Sequence, residues 1–170
     1  FYVFKAMSYL FDVYRRQTET GRSFLDYALY VTFFPQLLAG PIVRASDFLP
    51  QCMSDKKVVA SNIAWGFSLI LLGIFEKNVV ADAILAPVAD SLFKGSGVPN
   101  MISAWTGTLA FSGQIFCDFA GYSTCAIGIA LCLGFETPAN FKFPYAAIGF
   151  SDFWRRWHIT LSTWFRDYLY

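Results

Sequence analysis

The chain has 170 residues, 56% of them hydrophobic and 15% charged, with a net charge of +1. A soluble domain carries about 25% charged residues, so this composition excludes a fully water-exposed surface, and the near-zero charge excludes a basic field for nucleic acid. The 19% aromatic share and mean hydropathy of +0.45 suit lipid-facing surfaces with aromatic belts at headgroup level.

Phe1 to Tyr14 reads as a helix with Lys5 and Asp12 near its two ends. A charged gap follows, with Arg15, Arg16, Glu19 and Arg22. Tyr27 to Val43 is free of charge but holds Pro35, Gly40 and Pro41. The prolines remove amide donors and strain a helical ladder, and in lipid the freed carbonyls need protein or water partners. The pattern therefore predicts a broken or re-entrant helix lining a cavity, against a plain helix that ends at Phe34 and continues as an interfacial loop. A second charged gap holds Arg44, Asp47, Asp55, Lys56 and Lys57.

A membrane helix needs about 20 mostly apolar residues. Val58 to Phe75, continued through Glu76 to Val80, predicts an ordinary spanning helix. Beyond Lys94 come two charge-free runs, Gly95 to Cys117 and Phe119 to Phe135, separated only by Asp118. Pro99 suits a first helical turn. Gly121, Gly128 and Gly134, with small Ala and Ser between them, suit close helix approach. Ser151 to Tyr170 is helical in pattern, with Ser151 or Asp152 available as a cap. Together these elements predict an all-α fold, a polytopic transmembrane helical bundle with a broken or re-entrant segment. The chain opens on Phe1 inside an apolar run and closes on Tyr170 after an Arg-Asp pair. Residues 1–170 are accordingly expected to be an internal fragment of a single multi-pass membrane domain.

On a wheel of 100° per residue, Trp154, Trp157, Leu161, Trp164, Phe165 and Tyr168 share one arc of the last helix. Arg156, Thr160, Thr163 and Asp167 fall opposite. His158 sits at the border of the apolar arc, followed one turn later by Ser162, with Arg155 and Arg166 next around the cylinder. His158 is the one histidine of the chain, and an unperturbed pKa near 6.5 makes histidine a natural proton carrier at neutral pH. It is the default general base; the bland alternative is a packing histidine. Ser162 as a nucleophile lacks an orienting acid, and a mid-helix serine usually bonds its own backbone. Asp118 between two apolar runs needs a partner or a wet cavity; Arg44, Arg155, Arg156 and Arg166 are candidates, and a tight turn between two membrane helices is the alternative. Cys52, Cys117, Cys125 and Cys132 form no Cys-x-x-Cys pair, so no metal site is expected, and the last three read as small buried hydrophobes.

The stretch Phe153-Trp154-Arg155-Arg156-Trp157-His158-Ile159-Thr160-Leu161-Ser162, followed by Trp164-Phe165-Arg166-Asp167-Tyr168, resembles the signature of membrane-bound O-acyltransferases. It is most similar to the bacterial branch that O-acetylates alginate and related polysaccharides. Phe33-Phe34-Pro35-Gln36 through Gly40-Pro41-Ile42-Val43-Arg44 resembles that branch's proline-glycine-arginine segment. Asp118-Phe119-Ala120-Gly121-Tyr122-Ser123 resembles its aspartate-glycine-tyrosine segment, and Asn140-Phe141 with Pro144-Tyr145 fits the linker that follows. The resemblance implies a multi-pass enzyme of the bacterial inner (cytoplasmic) membrane that transfers an acyl group, acetyl in the nearest branch, from a thioester donor to a polysaccharide hydroxyl. The donor would be acetyl-CoA or an acyl carrier protein, used as substrate, with no tightly bound cofactor. Periplasmic acetyltransferase partner proteins and membrane lipids are the implied partners. His158 would be catalytic or supporting, since the family's principal histidine lies further along in a Trp-His motif. Arg44, Asp118, Tyr122, Arg155, Arg156 and Arg166 would bind substrate or donor, or hold structure. A fragment lacking the second histidine is expected to be inactive. D-alanyl transfer to teichoic acid within the same family, a non-enzymatic transporter, and a scaffold for a periplasmic transferase are the competing expectations.

Overall fold

The computed structural model describes residues 2–17, 23–37, 39–54, 58–95 and 98–170; the gap residues Glu19, Arg22, Asp55, Lys56 and Lys57 lie outside them. Among the described residues every regular element is helical, as the composition predicts. Helix α1 is Tyr2–Tyr14. Helix α2, Phe24–Thr32, starts where the Ser23 hydroxyl accepts from the Leu25 amide at 3.1 Å. It stops because Pro35 has no amide to donate to the Val31 carbonyl one turn back, and its ring crowds a continued α-helix there. Phe33 already leaves the helix at φ −55°, ψ 102°, and a 3-10 turn, Phe34–Gln36, follows.

Beyond α2 the described residues form a 3-10 turn and irregular backbone up to Arg44. This is the form of the alternative, a helix ending near Phe34, and not that of a broken helix with a second half; protein groups meet the freed backbone. The Lys5 ammonium donates to the Tyr30 carbonyl at 2.5 Å and to Gln36 Oε1 at 3.0 Å. The Tyr30 hydroxyl donates to the Val43 carbonyl at 3.0 Å, and the Ile42 amide donates to Thr160 Oγ1 at 3.0 Å. Pro41, Ile42 and Val43 are buried. Helix α3, Ala45–Met53, closes the main core of Tyr30, Phe33, Val43, Phe48 and Leu49 around Ala130. Phe135 stacks on Phe48 at 5.0 Å. Gln51 exchanges two hydrogen bonds with the backbone of Glu136.

The rest of the scaffold is a long helical hairpin. Its first limb runs unbroken through α4 (Ala60–Ile74), a π-helical stretch (Phe75–Leu85) and α5 (Ala86–Phe93). The ordinary helix expected at Val58 to Val80 is therefore corrected: it is α-helical from Ala60 to Ile74, and from Phe75 on it has the wider π turn. The second limb is α6, Met101–Cys132. Here too the sequence expectation is corrected, because the two runs on either side of Asp118 form one helix. An aspartate costs an α-helix only a few tenths of a kcal/mol of propensity, too little to break it. Asn100 caps α6 by accepting from the Ser103 amide at 2.9 Å, so Pro99 precedes the cap instead of occupying the first turn. α6 ends at Gly134, φ 80°, where the Phe135 amide reaches the Ala130 carbonyl at 2.8 Å and the Gly134 amide the Leu131 carbonyl at 3.0 Å. Those paired bonds form a Schellman stop, which needs a residue that tolerates positive φ.

Paired glycines set how closely the limbs approach. A Cβ on Gly73 would lie 2.5 Å from the Gly121 carbonyl oxygen, and one on Gly128 would lie 2.5 Å from that of Gly66. Both limbs thus place glycine one heptad apart in antiparallel register. Their outer faces expose Trp65, Phe67, Leu71, Ile102, Trp105 and Leu109, a surface suited to hydrocarbon rather than water. By length and apolarity α6 is the one described helix able to cross a membrane as a single element. Its 32 residues span about 48 Å at ~1.5 Å per residue, against a hydrocarbon core of about 30 Å.

Candidate functional site

The last segment departs most from its predicted form. Instead of one helix from Ser151 to Tyr170 there are two, α7 (Gly149–Arg156) and α8 (Ile159–Tyr168), with a break at Trp157 and His158. α7 opens at Ile148, whose amide is accepted by Asp152 Oδ2 at 3.1 Å, while Oδ1 of the same carboxylate accepts from Arg156 Nε at 2.9 Å. Asp152 therefore reaches back from within the first turns, and neither it nor Ser151 is the cap residue. The Arg156 guanidinium first, and the Ile148 amide second, hold the Asp152 carboxyl below the usual carboxylate range.

His158 is the residue before α8 and adopts the left-handed conformation, φ 43° and ψ 54°. That geometry costs a non-glycine residue on the order of 1–2 kcal/mol. Neighbours over-determine it. The Ile159 amide donates to the Asn140 carbonyl at 2.8 Å and the Lys142 amide to the Arg156 carbonyl at 3.0 Å, while the His158 carbonyl takes the Leu161 and Ser162 amides, each at 3.1 Å. Helical periodicity in the sequence cannot reveal this break, because its partners, Asn140 and Lys142, come from another segment.

The break turns the His158 ring inward. It is 8% exposed and meets Phe119 of α6 edge to face at 4.7 Å. Phe119 in turn packs on Phe141 at 5.0 Å, and Phe141 on Trp157 at 5.1 Å. Burial in this aromatic nest pushes the imidazole pKa down to about 4, so at pH 7 the ring is neutral and keeps a basic nitrogen. Beneath it, Asn140 Oδ1 accepts from Thr160 Oγ1 at 2.6 Å, and the same hydroxyl accepts from the Ile42 amide. One chain of hydrogen bonds therefore joins the proline-glycine segment, the Asn-Phe linker and the histidine stretch.

The other candidates fall into three places. Arg155, Ser162 and Arg166 line one groove of about 560 Å³ with Ser151, Trp154 and Thr163, so the neighbours the wheel drew around His158 share a surface that its ring turns away from. The Ser162 hydroxyl is directed at the Trp157 carbonyl, 3.4 Å away, as a backbone-bonded serine is expected to be. Arg44 forms an ion pair with Asp167 and lies over the Tyr168 ring at 5.8 Å. Arg166 Nε reaches the other Asp167 oxygen at 3.0 Å. Burial works to raise the Asp167 carboxyl, but Arg166 and Arg44 together hold it below its usual range. These groups, with Arg15 and Asp12, line a polar pocket of about 630 Å³.

Asp118 and Tyr122 belong to the hairpin. Lys77 of the π stretch pairs with Asp118 at 2.5 Å and lies 5.6 Å from the Tyr122 ring centre. The arginines proposed as partners for Asp118 are all engaged elsewhere or on another surface, and the tight-turn alternative fails because Asp118 is inside α6. Lys77 was missed because it also pairs with Asp82 at 2.9 Å, five residues on. At 100° per residue those two point 140° apart, and only the wider π turn brings them together. Cys117, Cys125 and Cys132 are half-buried, with the Cys125 thiol directed at the Ile70 carbonyl at 3.4 Å, so they are packing residues that are less enclosed than expected. Among the described residues no group of His, Cys, Asp and Glu forms a metal site.

The family model described as membrane-bound O-acyltransferase matches residues 3–170. The chain is 44% identical over its full length to a probable alginate O-acetylase, AlgI, of Azotobacter vinelandii, covering 34% of that protein. It is 46% identical over 149 residues, 86% of the chain, to a peptidoglycan O-acetyltransferase of Helicobacter pylori, covering 28% of it. A teichoic acid D-alanyltransferase of Bacillus subtilis is more distant, at 31% over 150 residues, with 83% of the chain and 36% of that protein covered. The chain spans about a third of the length of the curated relatives it matches.

Proposed function

The chain belongs to the membrane-bound O-acyltransferase family, and on that premise we propose that the protein carrying it transfers an acetyl group to hydroxyls of an exopolysaccharide such as alginate. The observation that carries this reading is His158: a neutral, buried imidazole held in a left-handed backbone by three segments that the sequence separates. In acyl transfer the acceptor hydroxyl attacks the thioester carbonyl, an ester bond forms, the carbon–sulfur bond breaks, and the hydroxyl proton passes by way of a base to the leaving thiolate. At pH 7 the imidazole is unprotonated and so free to accept the hydroxyl proton, and burial makes it a weaker base than free imidazole, which suits a supporting role beside a stronger base. We assign His158 as the supporting histidine, with the principal one supplied by the protein beyond this chain. Arg155 and Arg166, which share one groove, and Arg44, paired with Asp167 in the polar pocket, are assigned to holding phosphates or carboxylates of donor or acceptor.

The hairpin of α4 to α6 is read as spanning the inner membrane within a multi-pass protein, with the thioester, acetyl-CoA or an acyl carrier protein, as the donor and periplasmic acetyltransferases as partners. The 44% identity to the alginate relative against 31% to the D-alanyl relative favours acetyl over D-alanyl transfer. The test is ester formation on purified polysaccharide by the full protein in membranes supplied with acetyl-CoA. His158→Ala is expected to lower acetyl ester release at least tenfold with the protein still folded. Undiminished transfer would return His158 to a packing role, and proton-coupled uptake without ester formation would favour the transporter.

A further inference from the structure

A third cavity, of about 490 Å³, lies between the end of α4 with the first turn of the π stretch, the facing side of α6 and residues 139–143. We propose that it is a binding site for a neutral amphiphile whose head carries a hydroxyl or an amide. Leu69, Leu72, Phe116 and Ile127 make an apolar wall. Against that wall stand three polar side chains, each with a buried atom that has no protein partner: Glu76 Oε2, Ser123 Oγ and Asn140 Nδ2. Ser123 is 2% exposed and Asn140 1%. A buried polar atom left unpaired is costly, and native structures rarely tolerate several together unless something fills the gap.

Thr160 Oγ1 accepts from the Ile42 amide and gives its own proton to Asn140 Oδ1. With its oxygen held there, the Asn140 NH₂ is the buried end of the amide without a protein partner, and Asn140 lines the cavity. The cavity therefore offers donors from Asn140 and Ser123 and an acceptor from Glu76. A hydroxyl or an amide answers both kinds at once, and the opposite charges of Glu76 and Lys142, which line the cavity together with Thr124, favour a head without net charge. The apolar wall accommodates an alkyl portion beside that head. Because Asn140 also accepts from the Ile159 amide, an occupant bonded to Asn140 sits one hydrogen bond away from the backbone that holds His158 in place. The same chemistry could come from a membrane lipid with a glycerol head or from a soluble molecule with amide links.

This inference goes beyond the proposed transfer and is tested by binding alone, so its outcome is independent of turnover. The protein carrying this chain, in detergent micelles, is labelled with dodecanol bearing a diazirine, and the labelled peptides are mapped by mass. Label is expected in residues 116–127 and 139–143. Octanol and octanamide should suppress it, and octane should not. Ser123→Ala should weaken suppression by octanol about fivefold, and Ile127→Trp should abolish labelling by filling the space, both with an unchanged thermal midpoint. Suppression by phosphatidylglycerol vesicles assigns the occupant to the membrane; suppression by pantetheine assigns it to a soluble amide. Equal suppression by octane, or unchanged competition in Ser123→Ala, overturns the proposal.

Discussion

Asp118 and Lys77 allow the membrane reading of the hairpin to be tested by a single charge. Asp118 lies about 26 Å along α6 at ~1.5 Å per residue, close to the middle of the helix. Its carboxylate is 2.5 Å from the Lys77 ammonium, and the two side chains are 44% and 25% exposed on the protein surface. If that surface met water, the pair would contribute about 0–1 kcal/mol. If it meets hydrocarbon, an aspartate stripped of its partner costs about 2.5–3.5 kcal/mol at mid-membrane. Lys77→Met is therefore expected to destabilise the full protein by about 3 kcal/mol in phospholipid bicelles, read as the shift in unfolding on titration with SDS. Lys77→Met combined with Asp118→Leu should recover most of that loss, because the orphaned carboxylate is gone. A loss below 1 kcal/mol, or no recovery in the double variant, would refute the placement of this pair in the bilayer.

Three further outcomes follow from the geometry. Burial lowers the His158 pKa from an ordinary 6.5 to about 4, so the unfolded chain takes up this proton first; stability present above pH 6.5 should fall by up to about 3 kcal/mol between pH 6.5 and 4. His158→Asn, which tolerates the left-handed backbone, should remove that part of the pH slope in urea unfolding. Gly73→Val and Gly128→Val should each cost about 3 kcal/mol by forcing the limbs apart, whereas Gly113→Ala, whose Cβ meets only the Leu85 side chain at 3.1 Å, should cost under about 1 kcal/mol by the same SDS titration. Thr160→Val strands the Ile42 amide and Asn140 Oδ1 together and should cost about 2–6 kcal/mol at about 1–3 kcal/mol each, with Thr160→Ser close to the parent in thermal unfolding.

Much of the fold was legible because it rests on local chemistry. Pro35 and Pro41 announce the end of a helix whatever surrounds them, although they do not tell a helix end from a re-entrant segment. The apolar run after Lys94 announces α6, although Asp118 wrongly suggested a division there. The motif residues from Phe153 to Tyr168 announce the family, and the whole-chain match agrees with them. The candidate site was less legible. Periodicity placed Arg155, Ser162 and Arg166 together correctly, yet it placed His158 beside them when its ring faces Phe119. Lys77 and Asn140 carried no local signal, since each acquires its role through a residue distant in the chain.

For this protein the sequence by itself determined composition class, helical content, the place where α2 ends and the family, because propensity, proline and glycine act within a few residues. Only the tertiary structure decided where the last helix divides, which cation answers Asp118, and which way His158 turns. The Ile159–Asn140 and Lys142–Arg156 backbone bonds hold the break, and a π turn brings Lys77 to its two carboxylates. Such effects require two segments to meet, and one-dimensional periodicity carries no information about that meeting.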